Sequence, residues 1–214
     1  MEVLYQDNRV LVVVKPIGIR STDEPGGLPA LVRDWLGDPK ACVRTVHRLD
    51  QVTGGAMVLA RSRKAAQLLS QQVREGQFRK EYLAVVHGDP PEAGTLRDLL
   101  VRDRARRMTL VAHCPGPDVK EAILDYRVLE RRAGLSLLAV RLHTGRTHQI
   151  RVQFASRGWP LAGDKKYGGE ENGPLGLWSR QVSFLHPQSG ARLTCTAPAP
   201  PWEPWTLFST ETEP

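Results

Sequence analysis

Two segments in which apolar and polar residues alternate, Ala122–Glu130 and Leu135–Leu142, stand on either side of Arg131-Arg132-Ala133-Gly134. A period of two sends successive side chains to opposite faces of a strand, and a short break ending in glycine turns the chain back alongside itself, so the pair reads as a β-hairpin. The pattern recurs along the chain. Val3–Tyr5 and Arg9–Val14 flank the turn Gln6-Asp7-Asn8, and Phe78–His87 alternates through Tyr82, Ala84 and Val86. Gln181–Leu185 and Arg192–Ala197 flank Pro187-Gln188-Ser189-Gly190, while Val43–Leu49 and Ala56–Ala60 read as strands before and after a break at Asp50.

Helical periodicity is scarcer. Leu28, Leu31, Val32, Trp35 and Leu36 form one apolar stripe closed by Gly37, which assigns the stripe to the core. A second helix is capped by Ser62, turns Ala65, Leu68, Leu69 and Val73 inward and ends at Gly76. Residues 147–157 fit either period: Ile150, Val152 and Phe154 alternate, yet Ile150 with Phe154 and Arg151 with Ala155 suit a helix capped by Thr147 and stopped by Gly158. The Pro-rich tail from Pro198 to Pro214, with Trp202 and Trp205, is expected to lie extended over the surface. Many strands, few short helices and no internal repeat predict an α+β domain around a mostly antiparallel sheet.

Charge points to the partner. Thirty Lys and Arg against 23 Asp and Glu leave a net charge of +7, which favours an anionic ligand, nucleic acid first, and by itself leaves a merely solvated basic surface open. Residues 141–166 carry Arg141, Arg146, Arg151, Arg157, Lys165 and Lys166 against Asp164 alone, and Arg102-Asp103-Arg104-Ala105-Arg106-Arg107 is a second basic run on a loop or edge, where a phosphate contact and a solvated hairpin fit equally well. Cys42, Cys114 and Cys195 are odd in number and unpaired in spacing, as in a reducing compartment. With no signal-peptide pattern and no apolar run long enough to cross a bilayer, a cytoplasmic protein is expected.

Asp50 ends a predicted strand and enters Gln51-Val52-Thr53-Gly54-Gly55, where a carboxylate can face a ligand while its backbone is held. Arg48 shares its face of that strand, and Arg146 and Arg151 offer guanidinium forks suited to carboxylate or phosphate. An arginine paired with Asp50 would keep it ionised, as a nucleophile or base requires. From these residues alone, a structural ion pair and a catalytic one fit equally well. His47, His143 and His148 lack metal-ligand spacing, and His47-Arg48-x-Asp50 lacks the glycine-rich loop and Asp-Phe-Gly that a kinase site needs.

The stretch His47-Arg48-Leu49-Asp50-x-x-Thr53-x-Gly55 resembles the segment bearing the catalytic aspartate of RNA pseudouridine synthases of the RluA type. Arg79-Lys80-Glu81-Tyr82 through Gly88 is similar to the family's Lys-x-Tyr strand, and Leu142-His143-Thr144-Gly145-Arg146-Thr147-His148-Gln149-Ile150-Arg151-Val152 to its third motif. Lys15-Pro16-x-Gly18, Gly163-Asp164-x-x-Tyr167-Gly168 and Phe184-x-His186-Pro187-x-x-Gly190 also follow the family, in order, over nearly the whole chain. Two positions depart: Gly54 stands where serine is usual and Gln153 where histidine is common.

The resemblance implies a mixed, mostly antiparallel central sheet flanked by short helices and loops, with a catalytic cleft across it. It implies one catalytic domain over residues 1–214 with no separate RNA-binding domain. The implied reaction isomerises particular uridines of ribosomal or transfer RNA to pseudouridine after flipping the base. Asp50 is then the essential carboxylate, Arg151 its positive partner and Tyr82 the ring against the uracil. Arg48, Thr53, Arg146, His148 and Ile150 contact the RNA. No cofactor, metal or membrane is implied, and a cytoplasmic monomer is expected. The rival readings are a non-catalytic RNA-binding protein of the same fold, and a hydrolase needing two carboxylates, for which Asp164 is the available second.

Overall fold

The computed structural model describes residues 1–169 and 173–209. In chain order the elements are β1 (Val3–Gln6), β2 (Val10–Lys15), α1 (Leu28–Leu36), β3 (Arg44–Thr45), β4 (Gly54–Ala60), α2 (Arg63–Arg74), β5 (Arg79–His87), β6 (Ala93–Asp103), β7 (Met108–Ala112), β8 (Val119–Arg132), β9 (Leu135–Leu142), α3 (Gln149–Ala155), β10 (Leu177–Leu185) and β11 (Arg192–Thr196), followed by a 3-10 turn at Trp205–Leu207. The chain parts into two compact units, Met1–Glu81 with Trp178–Pro198, and Tyr82–Leu177 with the tail from Ala199.

In the first unit the strand order is β1-β2-β4-β10, with β11 on β10 and β3 on β4. The β4–β10 pair is parallel and the other pairs of this unit are antiparallel, which makes the sheet mixed. Val10 to Val13 of β2 and Ala56 to Ala60 of β4 are fully buried, as in strands covered on both faces. Helix α1 runs over the predicted residues, with Pro29 in its first turn and Gly37 ending it at φ 66°. Its stripe is only partly core: Leu28 and Val32 are buried, whereas Trp35 is 43% exposed. In α2 the Ser62 hydroxyl accepts the Ala65 N–H at 3.1 Å, the cap that the spacing predicts.

The strand expected over Val43–Leu49 shrinks to Arg44–Thr45, paired with Ala60 and Leu59. Beyond Thr45 side chains replace the ladder. His47 Nε2 accepts the Val58 N–H at 3.0 Å, and Ser21 Oγ donates to the Leu49 carbonyl at 2.7 Å while standing 3.1 Å from its N–H. The alternation survives in the burial: His47 and Leu49 are inside, and Arg48 is exposed.

In the second unit the order is β5-β9-β8-β6-β7. The β8–β9 hairpin is tighter than the four-residue break suggests, because Ala133 (φ 52°) and Gly134 (φ 77°) form a two-residue turn with both φ positive, the geometry that matches strand twist. The long β6–β7 hairpin carries the basic run at its tip, the hairpin that the sequence reading offers for these residues, although its two strands are not predicted. Residues 149–155 form helix α3, and its N-cap is His148 in the left-handed region (φ 55°), not Thr147. Gln149 through Phe154 are all buried, so no polar stripe exists from which to read the period. The tail also differs from expectation: Trp205 is 1% exposed and belongs to the core, while Trp202 is 44% exposed. The last part of that predicted extended segment, 210–214, lies outside the described residues. No described helix is long and apolar enough to cross a membrane.

Candidate active site

The loop bearing Asp50 is clamped on both sides. Thr53 N–H donates to the Asp50 carbonyl at 3.0 Å, Gly18 N–H donates to the Gln51 carbonyl at 2.8 Å, and Gln51 Nε2 returns a bond to the Gly18 carbonyl at 2.9 Å. Lys15 is fully buried and donates from Nζ to the carbonyls of Pro16 (2.9 Å), Ile19 (2.6 Å) and Gln51 (3.4 Å). Burial pushes its ammonium down to about 8, against the pull of the Asp50 carboxylate. With His47 and Leu49 tied as described, every second residue from 47 to 53 is held, and the half-buried Asp50 sits on a rigid backbone. Thr53 is buried, and its hydroxyl finds no hydrogen-bond partner among the described residues.

Two glycines make the loop's exit possible. A Cβ on Gly55 (φ 114°) would fall 2.2 Å from the Ser179 carbonyl oxygen, and one on Gly54 would fall 2.4 Å from the Trp178 ring. The space a serine would take at position 54 is filled here by that indole. His47 is enclosed, and burial together with the nearby Lys80 pushes its pKa down to about 3, so the imidazole is neutral and serves as a backbone acceptor.

In the second unit Tyr82 is buried in β5 and Ile150 and Arg151 are buried in α3. The approach to α3 is organised by Gln149, which the sequence reading passes over. Its Oε1 accepts from Thr144 Oγ1 (2.8 Å) and Arg146 N–H (3.0 Å), and its Nε2 donates to the Ile123 carbonyl (3.1 Å). Arg146 itself is exposed, with Nε donating to the Glu121 carbonyl at 2.9 Å. Gln153 donates to Asp98 Oδ2 at 2.7 Å, and Arg157 pairs with the same carboxylate at 2.9 Å.

Arg151 grips Asp164 with two parallel bonds, Nε to Oδ2 and Nη2 to Oδ1, each 2.7 Å, with both side chains almost wholly enclosed. The Tyr167 ring lies under the guanidinium at 5.1 Å. Its hydroxyl accepts the Thr109 N–H at 2.8 Å and meets His148 Nδ1 at 2.8 Å. Burial raises the phenol's pKa, which keeps it a neutral hydroxyl. Two residues of the supposed basic face at 141–166 are therefore paired with carboxylates, Arg151 buried and Arg157 half-buried, while Arg141, Arg146, Lys165 and Lys166 are exposed. Asp164 is committed to Arg151, which leaves the two-carboxylate hydrolase reading without its second group. Among the described residues, no three His, Cys, Asp or Glu side chains gather as a metal site would require.

A family model described as RNA pseudouridylate synthase matches residues 9–156. A Bacillus subtilis protein named as an uncharacterized RNA pseudouridine synthase is 34% identical over 94% of this chain and 69% of its own. The ribosomal large subunit pseudouridine synthase D of Xanthomonas campestris is 36% identical over 94% of this chain and 66% of its own. The chain thus spans about two thirds of the length of these relatives. Human RNA pseudouridylate synthase domain containing 1 superposes with a TM-score of 0.80 at 24% identity, over 93% of this chain and 83% of that one. Human RNA pseudouridylate synthase domain containing 4 gives 0.78 at 24%, over 94% and 89%, and the two likenesses establish the fold.

Proposed function

The chain belongs to the RNA pseudouridylate synthase family, and on that premise we propose that it isomerises particular uridines in ribosomal or transfer RNA to pseudouridine. The reaction breaks the bond between uracil N1 and ribose C1′ and forms one between C5 and C1′. The proton on C5 goes to solvent and N1 gains one, so nothing is oxidised and no cofactor or metal is called for. A stacked uridine is out of reach of any side chain, so the nucleotide must be flipped out, which costs roughly a few kcal/mol.

In this reading Asp50 is the carboxylate on which the reaction depends, and Arg151 keeps it ionised and aimed. Tyr82 lies against the uracil with Ile150 beside it. Arg48, Thr53, Arg146 and His148 contact the flipped nucleotide and its neighbours. The backbone bonds that hold residues 47 to 53 support this, because a catalytic group is effective only when its geometry is set in advance. Residues 1–214 are proposed to work as one catalytic domain, as a monomer in the cytoplasm. The observation that carries the reading is the family match over residues 9–156, which contains Asp50, Tyr82 and Arg151 in the family's order.

The test follows from the lost C5 proton. Total RNA labelled with [5-3H]uridine, taken from cells lacking the gene, should release tritium to water on incubation with the protein. Asp50→Asn should abolish release and leave RNA affinity within about twofold. Carbodiimide-based mapping in cells with and without the gene should then locate the sites in ribosomal or transfer RNA. Tritium release by Asp50→Asn at the unsubstituted rate would overturn the assignment.

A further inference from the structure

We infer that Asp164 is a positioning residue for the reaction, acting through Arg151; this rests on the role given to Arg151 above. The reaction itself requires no carboxylate besides that of Asp50. Asp164 is 1% exposed, and its Oδ1 accepts from the backbone N–H groups of Lys166 (3.1 Å) and Tyr167 (3.3 Å) as well as from Arg151. Its own backbone is pinned, with N–H to the Leu161 carbonyl at 3.1 Å and its carbonyl taking the N–H of Gly169 at 2.8 Å. A Cβ on Gly163 would meet the Pro174 carbonyl oxygen at 2.5 Å, and one on Gly169 would meet Asp164 N at 2.5 Å, so the turn admits no larger residue at either place without moving. The carboxylate is the fixed member of the pair.

Arginine has a long side chain with roughly 2 kcal/mol of rotamer entropy, and a guanidinium aimed at a second anion needs that freedom removed beforehand. Here two of its five N–H groups are taken by Asp164 on one edge, and Tyr167 lies against one face. Tyr167 is held in turn by Thr109 and His148. The direction of the three other N–H groups is thereby set by Asp164. The pair also removes the penalty of burying a lone guanidinium, which would otherwise fold back or draw in water.

Single-turnover tritium release from the labelled total RNA, measured across enzyme concentrations, separates maximal rate from half-saturation. Asp164→Asn keeps the shape of the side chain and loses the charge. It should slow the maximal rate on the order of tenfold to a hundredfold, with half-saturation shifted less than about threefold, and the double variant Asp164→Asn/Arg151→Lys should be no slower than Arg151→Lys alone. A purely structural carboxylate would instead give multiplicative losses. Thermal melts accompany each variant. Should Asp164→Asn be unfolded at the assay temperature, Asp164→Glu decides, because it keeps the charge but displaces the fork; a full rate in that variant overturns the inference. If the unsubstituted protein and Arg151→Lys behave as the functional reading requires while Asp164→Asn runs at full rate, the positioning role alone is overturned. No release by the unsubstituted protein overturns the functional reading, and this inference with it.

Discussion

At Gly54 and His47, single side chains answer to neighbours far along the chain. The absence of a Cβ at position 54 is a packing requirement, because Trp178, 124 residues later, has its ring 2.4 Å from where that atom would stand and the Lys15 carbonyl oxygen is 3.0 Å away. Gly54→Ser, which restores the residue usual at this motif position, should therefore lower stability by about 1–3 kcal/mol in urea unfolding; an unchanged midpoint would mean the indole moves aside freely. His47 makes stability depend on pH. The folded protein holds it neutral down to about 3, whereas the unfolded chain takes up the proton near 6.5, so the unfolded state binds more protons between those values. Stability from this group is complete above pH 6.5 and is lost as pH falls through the window, with a slope approaching 1.4 kcal/mol per unit. His47→Gln keeps an acceptor for the Val58 N–H and should flatten the loss between pH 7 and 5.5. Parallel curves for the two proteins would contradict a neutral buried imidazole.

Helix α3 and the loop before it show what an element owes to its surroundings. Strand and helix patterns coexist over 147–157 because the helix is buried on all sides, and a period can be read only where one face is polar. The choice is made by Gln149, whose amide joins Thr144, Arg146 and Ile123, and by Gln153, which reaches Asp98 on β6. Gln149→Leu leaves the Arg146 N–H and the Ile123 carbonyl without this partner and should cost about 2 kcal/mol of stability by denaturant unfolding. A cost below about 0.5 kcal/mol would mean the loop is held elsewhere. Gln153, a departure from the family pattern, fills the same kind of role, tying the helix to a strand. The β3 ladder is short for a related reason: side chains of Ser21 and His47 take the backbone groups that a longer strand would have paired, and no local pattern announces a partner 28 residues away.

Across the whole molecule, net charge and the charge presented to solvent are different quantities. The +7 balance and the run of basic residues at 141–166 suggest a single cationic face, yet the buried Arg151 and the half-buried Arg157 are paired with Asp164 and Asp98. RNA affinity should fall steeply with salt, and Arg146→Gln should reduce the slope of log K against log salt by roughly 0.7 if that exposed side chain meets a phosphate of a single strand. Arg157→Gln should leave the slope where it was, as filter binding at several salt concentrations would show; a matching drop would mean that Arg157 leaves Asp98 for the RNA.

What the sequence determined by itself is local or repetitive: the strands bounded by turn residues, α1 and α2 with their caps, and the motifs that place Asp50, Tyr82 and Arg151 in a recognisable order. Each rests on residues within a few positions of one another, where period, cap and turn chemistry suffice. Only the tertiary structure decided that residues 149–155 are a helix, that Trp205 is core, that the strands bearing the basic run are long, and that Asp164 is the carboxylate paired with Arg151. These depend on close approach between distant segments, where burial removes the polar face from which a period is read and where a charge's partner is chosen by the fold.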